Sequence, residues 1–310
     1  MTLPSLLVLL AAIWQPVAAQ DPQTPRATFR SSVQRVAVSA SVRTKQGRPI
    51  TDLTVKDFTL VDSGTERPIL DFKTGESDIS LAMLVDFSGS MGLSAKRQAA
   101  RDNAFHILSW LRAGKDEAGL YVFDNSLREL QPLAPAPGNI LAQLESVRTP
   151  YGATSLFDAI AETSRLLSSR AGTRRAVVAL TDGADNASKL TAEQVSAIAG
   201  SIDVPVYVVV VVSPFDRSGL TTVDDPRLVD QALQGPLANL ARWTGGEIYL
   251  GIGPTQSSQA ARQIVTELRT QYLIAFEPDG RPGWHPIELR TRDKDHVVRA
   301  RSGYLVGSQP

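Results

Sequence analysis

Five side chains, each ending an apolar run or opening a helix, carry the chemistry this sequence offers: Asp86, Ser88, Ser90, Thr154 and Asp182. The first three lie in LAMLVDFSGSMG at 81–92, where an apolar run leads into one carboxylate and two hydroxyls. Thr154 lies in YGATS at 151–155, and Asp182 closes AVVALTDG at 176–183. Every group is an oxygen donor, the type that hard cations of the Mg2+ class take, about six of them at about 2.0–2.1 Å. The hydroxyls are neutral and the aspartates bring two negative charges, so direct ligation by both carboxylates neutralises a divalent ion. Each piece also has a plain structural use. Ser88 and Ser90 can cap a helix, Thr154 can be the N-cap of the helix at Leu156, and Asp182-Gly183 can be a turn. Their joint occurrence in this order points to one metal site.

The elements around these residues must bring them together. The run ending at Asp86 reads as a strand buried on both faces, and ligands of open α/β sheets gather at the carboxyl ends of such strands. Beyond Ile79 strands and helices alternate. Helices are expected over 94–112 (apolar stripe Ala100, Ala104, Leu108, Leu111), 140–147, 156–169 (Ile160, Thr163, Leu167), 191–201, 237–243 and 257–269. Strands are expected over 118–123, 174–182, 204–213 and 247–250. This pattern implies an α/β fold with a doubly wound, mainly parallel sheet covered on both faces. Gly89, Gly92 and Gly152 permit tight backbone beside the donors, and the helix opening near Ser94 points its positive end at them.

Two β-rich segments flank this region. Before it, Val36, Val38, Ala40 and Val42 alternate with polar neighbours, and short runs at 58–61 and 69–72 follow. After it come 272–276, 285–290, 297–301 and 304–306, separated by turns. Neither flank can hold a core alone, so the two are expected to pair as one small β-sandwich into which the α/β domain is inserted. The expected organisation is a signal peptide at 1–19, a linker at 20–33, a β segment at 34–76, the α/β domain at 77–269, and a second β segment at 270–307 pairing with the first.

Composition narrows the classes. The 310 residues have a formal net charge of zero and contain no cysteine. No polybasic run points to nucleic acid or an anionic membrane, and disulfides, thiolate metal sites and Cys nucleophiles are excluded. The apolar run at 5–14 followed by Val17-Ala18-Ala19 reads as a secretory signal cleaved after about Ala19, although no Lys or Arg precedes it. A secreted, periplasmic or cell-surface location follows, with no stable membrane span after cleavage. His106, His285 and His296 lack zinc-site spacing, Lys96 reads as a surface residue, and Asp158 as a solvated helix residue.

The pattern D-x-S-x-S, then Thr, then Asp resembles the metal-ion-dependent adhesion site of von Willebrand factor type A domains, with each motif position present. DFTLVDSG at 57–64, QYLIAFEP at 271–278 and RARSGY at 299–304 extend the likeness to the bacterial, Acidobacteria-type, von Willebrand factor A-related family. The resemblance implies Mg2+ (or Mn2+ or Ca2+) at Asp86, Ser88, Ser90, Thr154 and Asp182, with hydroxyls ligating directly and the aspartates acting largely through water. It further implies a non-enzymatic adhesion or interaction module whose protein partner supplies a Glu or Asp carboxylate, and a site whose affinity can follow movement of the last helix. Two other readings compete. One is a metal-assisted phosphoryl hydrolase using Asp86; against it, Ser88 stands where a second acid is expected. The other is a scaffold in which metal only stabilises the domain.

Overall fold

In the computed structural model, described residues cover 35–306 except 93, 137, 148–151, 171–172, 184, 212–234 and 252. The expected signal peptide and linker therefore lie outside the described residues. In chain order the strands and helices are β1 (Val36–Thr44), β2 (Phe58–Asp62), β3 (Thr65–Arg67), β4 (Asp71–Lys73), β5 (Ile79–Asp86), α1 (Ser94–Ser109), β6 (Glu117–Phe123), β7 (Leu127–Pro135), α2 (Ile140–Ser146), α3 (Leu156–Leu167) and β8 (Arg174–Thr181). There follow α4 (Ala192–Ser201), β9 (Val206–Val211), α5 (Pro236–Trp243), β10 (Ile248–Gly251), α6 (Pro254–Arg269), β11 (Tyr272–Phe276), β12 (Gly283–Thr291), β13 (His296–Ala300) and β14 (Gly303–Val306).

β5 is the axis of the molecule because all eight of its residues are buried. Its side chains alternate between two cores. Ile79, Leu81, Met83 and Val85 pack with apolar residues of α1, α2 and α6. Ala82 and Leu84 pack with those of α3, α4 and α5. The sheet order is β10-β9-β8-β5-β6-β7, parallel throughout except for β6 with β7. The chain leaves β5 towards β6 and later returns to the other side with β8. The two strands thus flank the point where the winding reverses, and crevices for ligands open there at the carboxyl ends.

The structure departs from the sequence reading at several boundaries. β7 was not expected: its Pro132 and Pro135 argue against a strand, yet it lies at the sheet edge, where a missing N–H leaves no interior ladder broken. α1 stops at Ser109, and Leu111 reaches the core from the turn beyond it. α6 begins at Pro254, three residues before the expected start, with Pro in the first turn, where its fixed φ suits a helix. β3 is a short additional strand whose hairpin with β2 turns through Ser63 and Gly64, both at positive φ. Such a turn matches the twist of the strands it joins.

The flanking strands form two four-stranded sheets, β13-β1-β11-β4 and β14-β12-β2-β3, each containing strands from both ends of the described chain. Val38, Ala40, Val42, Phe58, Leu60, Tyr272, Ile274, Phe276, Ile287, Leu289 and Tyr304 fill the core between them. α6 is tied to both parts. Arg269 pairs with buried Asp116 at 2.7 Å, and Glu267 meets Arg43 at 3.3 Å and Arg299 at 2.9 Å. α5 ends at Trp243 with Thr244 as its C-cap, and Gly245-Gly246 follow. A Cβ on Gly246 would lie 2.0 Å from the Val206 carbonyl oxygen, so only glycine lets the chain pass β9.

Candidate metal centre

Three loops at the carboxyl ends of β5 and β8, and before α3, build the site. Asp86 is the last residue of β5 and is 1% exposed. Its Oδ1 accepts the Ser88 N–H at 2.8 Å, which turns the chain sharply out of the strand. Its Oδ2 accepts the Thr181 hydroxyl at 2.6 Å. The Ser88 and Ser90 hydroxyl oxygens are 3.0 Å apart, with Ser88 buried and Ser90 exposed. A short 3-10 turn, Gly89–Gly92, then leads to α1.

Backbone bonds stitch the loops together. The Gly89 N–H donates to the Gly152 carbonyl at 2.9 Å. Gly152 adopts φ +111°, a left-handed conformation that favours glycine. Thr154 is 2% exposed; its N–H donates to Asn186 Oδ1 at 2.8 Å, and its carbonyl accepts the Asn186 N–H at 3.0 Å. The N-cap of α3 is Ser155, not Thr154, and the cap function comes from the third loop, where Asp185 accepts the Phe157 N–H at 3.0 Å. Asp158 accepts the N–H groups of Lys189 and Leu190 at 3.0 and 2.9 Å, so it organises that loop and is not merely solvated.

Asp182 follows β8. Its Oδ2 accepts a hydrogen bond from the Lys96 ammonium at 2.9 Å, while its buried Oδ1 accepts none among the described residues. Lys96 is 7% exposed, which corrects its reading as a surface residue. A cation in the first turn of α1 opposes the helix dipole, and the Asp182 carboxylate is what holds it there. Burial raises the Asp86 carboxyl above its ordinary range; the hydrogen bonds from Thr181 and Ser88 pull it back, and the nearby Asp182 charge pushes it up again.

Sequence reasoning missed Thr181 and misread Lys96; Asn186, close after Asp182, reads from sequence as a residue that helps the loop without being a ligand. A hydroxyl ending the apolar run 176–180 and a cation against the helix dipole were the signals for the first two. The donor set fits a hard divalent ion. All donors are oxygens, one buried carboxylate oxygen lacks a partner among the described residues, and the serine oxygens stand near the separation of about 2.9 Å between adjacent ligands of an octahedron with bonds of about 2.0–2.1 Å. A cavity of about 290 Å³ opens beside Asp86, walled in part by Phe87, Met91, Arg97 and Arg101.

A second group of possible ligands lies in the β-sandwich. Asp62, Asp279 and His285 each place one atom within 4.8 Å of the others. His285, set aside on sequence spacing, is buried here, with Nδ1 at 3.5 Å from Asp62 and 3.6 Å from Asp279. Arg67 stands 3.4 Å from Asp62, and Arg281 binds Asp279 through Nε at 2.8 Å. Two guanidinium groups thus already balance both carboxylates, and the cluster reads as an ion network closing the β2–β3 and β11–β12 turns.

Residues 81–184 match the family model of the von Willebrand factor type A domain. No curated protein matches the chain. Among solved structures, it is similar to an aerotolerance-related membrane protein from Bacteroides fragilis (20% identity, 61% of this chain and 98% of that one, TM-score 0.47). It is also similar to a von Willebrand factor type A protein from Catenulispora acidiphila (12%, 89% and 76%, TM-score 0.44). A third is the manganese-loaded TRAP protein of Plasmodium vivax (15%, 82% and 100%, TM-score 0.43). None of the three carries an argument about ion or partner for this chain.

Proposed function

We propose that this chain, which carries a von Willebrand factor type A domain across 81–184, binds an acidic protein partner through a divalent cation held by Asp86, Ser88, Ser90, Thr154 and Asp182. One observation carries the reading: two serine hydroxyls 3.0 Å apart stand at the end of β5, where the buried carboxylate Asp86 lies and where β8 delivers Asp182 with a buried oxygen that has no hydrogen-bond partner among the described residues. The ion, Mg2+ or else Mn2+ or Ca2+, supplies a Lewis-acidic attachment point for a carboxylate. The protein does the rest. Thr181 and the Ser88 N–H fix Asp86, so that its charge faces the loops without swinging. The Gly89–Gly152 and Thr154–Asn186 bonds hold the hydroxyl-bearing loops in register. Arg97 in the wall of the adjoining cavity favours an acidic surface, while Arg101 beside it is already paired with Glu145.

In this reading the α/β domain at 77–269 does the binding, and the β segments at 34–76 and 270–307 are its base. The ion pairs of Glu267 with Arg43 and Arg299 give movement of α6 a route to that base. A secreted, periplasmic or cell-surface location rests on the sequence of 1–19. Calorimetric titration of Mg2+ and Mn2+ into the full chain, beside Asp182→Ala, tests the site. Uptake by the parent and not by the variant is expected; equal uptake by both places the ion elsewhere and ends the proposal.

One observation favours the hydrolase as a second reading: Lys96, a surface residue by its sequence pattern, stands as an enclosed cation near the strand ends. Against it, both Asp86 oxygens are engaged by hydrogen bonds, leaving a poor nucleophile. Turnover of a generic phosphomonoester, lost in Asp86→Asn, would favour the hydrolase over the binding module.

A further inference from the structure

Lys96 sits where a simple ion site has no use for it. The ammonium and the Asp182 carboxylate are enclosed together, their side chains only 9% and 10% exposed, with Nζ 2.9 Å from Oδ2. Lys96 lies in the first turn of α1, where the helix dipole disfavours a positive charge. A four-carbon stem could carry the charge outward to water, yet it points inward to Asp182, whose other oxygen has no hydrogen-bond partner among the described residues. The other carboxylate, Asp86, is close enough that the Asp182 charge acts on it. Among the described residues, one ammonium is thus set against two enclosed carboxylates.

We propose that Lys96 is a built-in competitor of the divalent cation: it occupies the Asp182 carboxylate when no ion is bound and must swing away when one enters. The inference rests on the ion site proposed above and adds its regulation. Two carboxylates whose charges act on each other repel when no cation balances them, so an internal ammonium keeps the loops assembled in the resting state. The same ammonium lowers ion affinity, because an incoming divalent ion has to displace it or accept its repulsion. Ion uptake is thereby coupled to the first turn of α1. A partner that offers a carboxylate to the ion also offers a new acceptor to the displaced lysine. Ion and partner should therefore bind with positive coupling.

Lys96→Met keeps the stem and removes the charge. Mn2+ titration of the parent, Lys96→Met and Asp182→Ala, by calorimetry and by the electron paramagnetic resonance signal of free Mn2+, is the test. At least tenfold tighter uptake by Lys96→Met than by the parent is expected, with uptake lost in Asp182→Ala. Uptake by Lys96→Met alone supports the inference equally. Unchanged or weaker uptake by Lys96→Met, with loss in Asp182→Ala, overturns the inference and leaves the site standing. Uptake undiminished in Asp182→Ala, or absent from all three proteins, overturns the site and the inference with it. Thermal unfolding guards against a folding defect. In chelator, Lys96→Met should melt below the parent, and saturating Mn2+ should raise its Tm more than the parent's. An equal or smaller rise shows a purely structural ion pair and overturns the proposal. Lys96→Gln should behave as Lys96→Met does.

Discussion

Replacing Asp116 by Asn removes one charge from an enclosed ion pair at the end of β5 opposite the metal centre. Asp116 is 0% exposed. Its Oδ1 accepts the Ile79 N–H at 3.0 Å and Arg269 Nη1 at 3.2 Å; its Oδ2 accepts the Arg112 N–H at 2.6 Å and Arg269 Nη2 at 2.7 Å. Asn has one carbonyl oxygen, so its amide nitrogen must face donors and Arg269 is left without its counter-charge. Removing one partner of a buried pair costs about 3–5 kcal/mol, a large part of the about 5–15 kcal/mol that holds a domain folded. Urea unfolding of the parent, Asp116→Asn, Arg269→Met and the double variant measures this. Each single change should cost about 3–5 kcal/mol, and the double change should cost less than their sum by at least about 1 kcal/mol, because it strands no charge. Burial raises the Asp116 carboxyl, but the Arg269 donors and the two backbone N–H groups outweigh it and hold it below the ordinary range. Its stabilisation is therefore complete above the unfolded value of about 3.9 and is lost as pH falls through the folded value, so parent and Asp116→Asn should converge in acid. Asp86 lies seven residues along β5 from Ile79, which Asp116 binds, roughly 23 Å away at about 3.3 Å per residue, so ion uptake should not change. A cost under about 1 kcal/mol, or additive single changes, would refute the reasoning.

The remaining predictions concern the site and the packing behind it. Thr181→Val takes away the only side-chain donor to Asp86 Oδ2 among the described residues. It should cost about 1–3 kcal/mol in urea unfolding and weaken Mn2+ uptake, whereas Thr181→Ser should retain both. Gly246→Ala sets a methyl 2.0 Å from the Val206 carbonyl oxygen; with backbone on that side nothing yields easily, and a loss at the upper end of overpacking costs, about 3 kcal/mol, is expected. Burial pushes the Glu267 carboxyl up to about 7, with Arg43 and Tyr207 pulling it back. Its contribution is complete below its unfolded value of about 4.3 and is lost as pH rises through the folded value. The Tm of the parent should therefore fall between about pH 5 and pH 8 relative to Glu267→Gln, and parallel profiles would contradict this.

The sequence by itself determined the α/β class, because periodicity and burial follow from residue order alone. The apolar run at 81–85 closing in Asp86 reads as a strand covered on both faces, and the helices between such strands must do the covering. It also determined which five donors are candidates, because D-x-S-x-S places three of them on one turn and the Thr and Asp-Gly signals stand at the ends of their own elements. Contacts between residues distant in the chain were decided only by the tertiary structure. Thr181 reads as one more strand residue until β8 lies beside β5 and its hydroxyl meets Asp86, 95 positions earlier. Lys96 reads as solvated until the fold brings Asp182, 86 positions later, within 2.9 Å. His285 lacks partners in sequence and finds Asp62 only when β12 pairs with β2. β7 escaped because the tolerance for its prolines depends on an edge position, a property of the sheet and not of the strand. Local pattern specifies what a segment becomes and which groups it carries. Which charges neutralise one another depends on distances that exist only once the chain has closed.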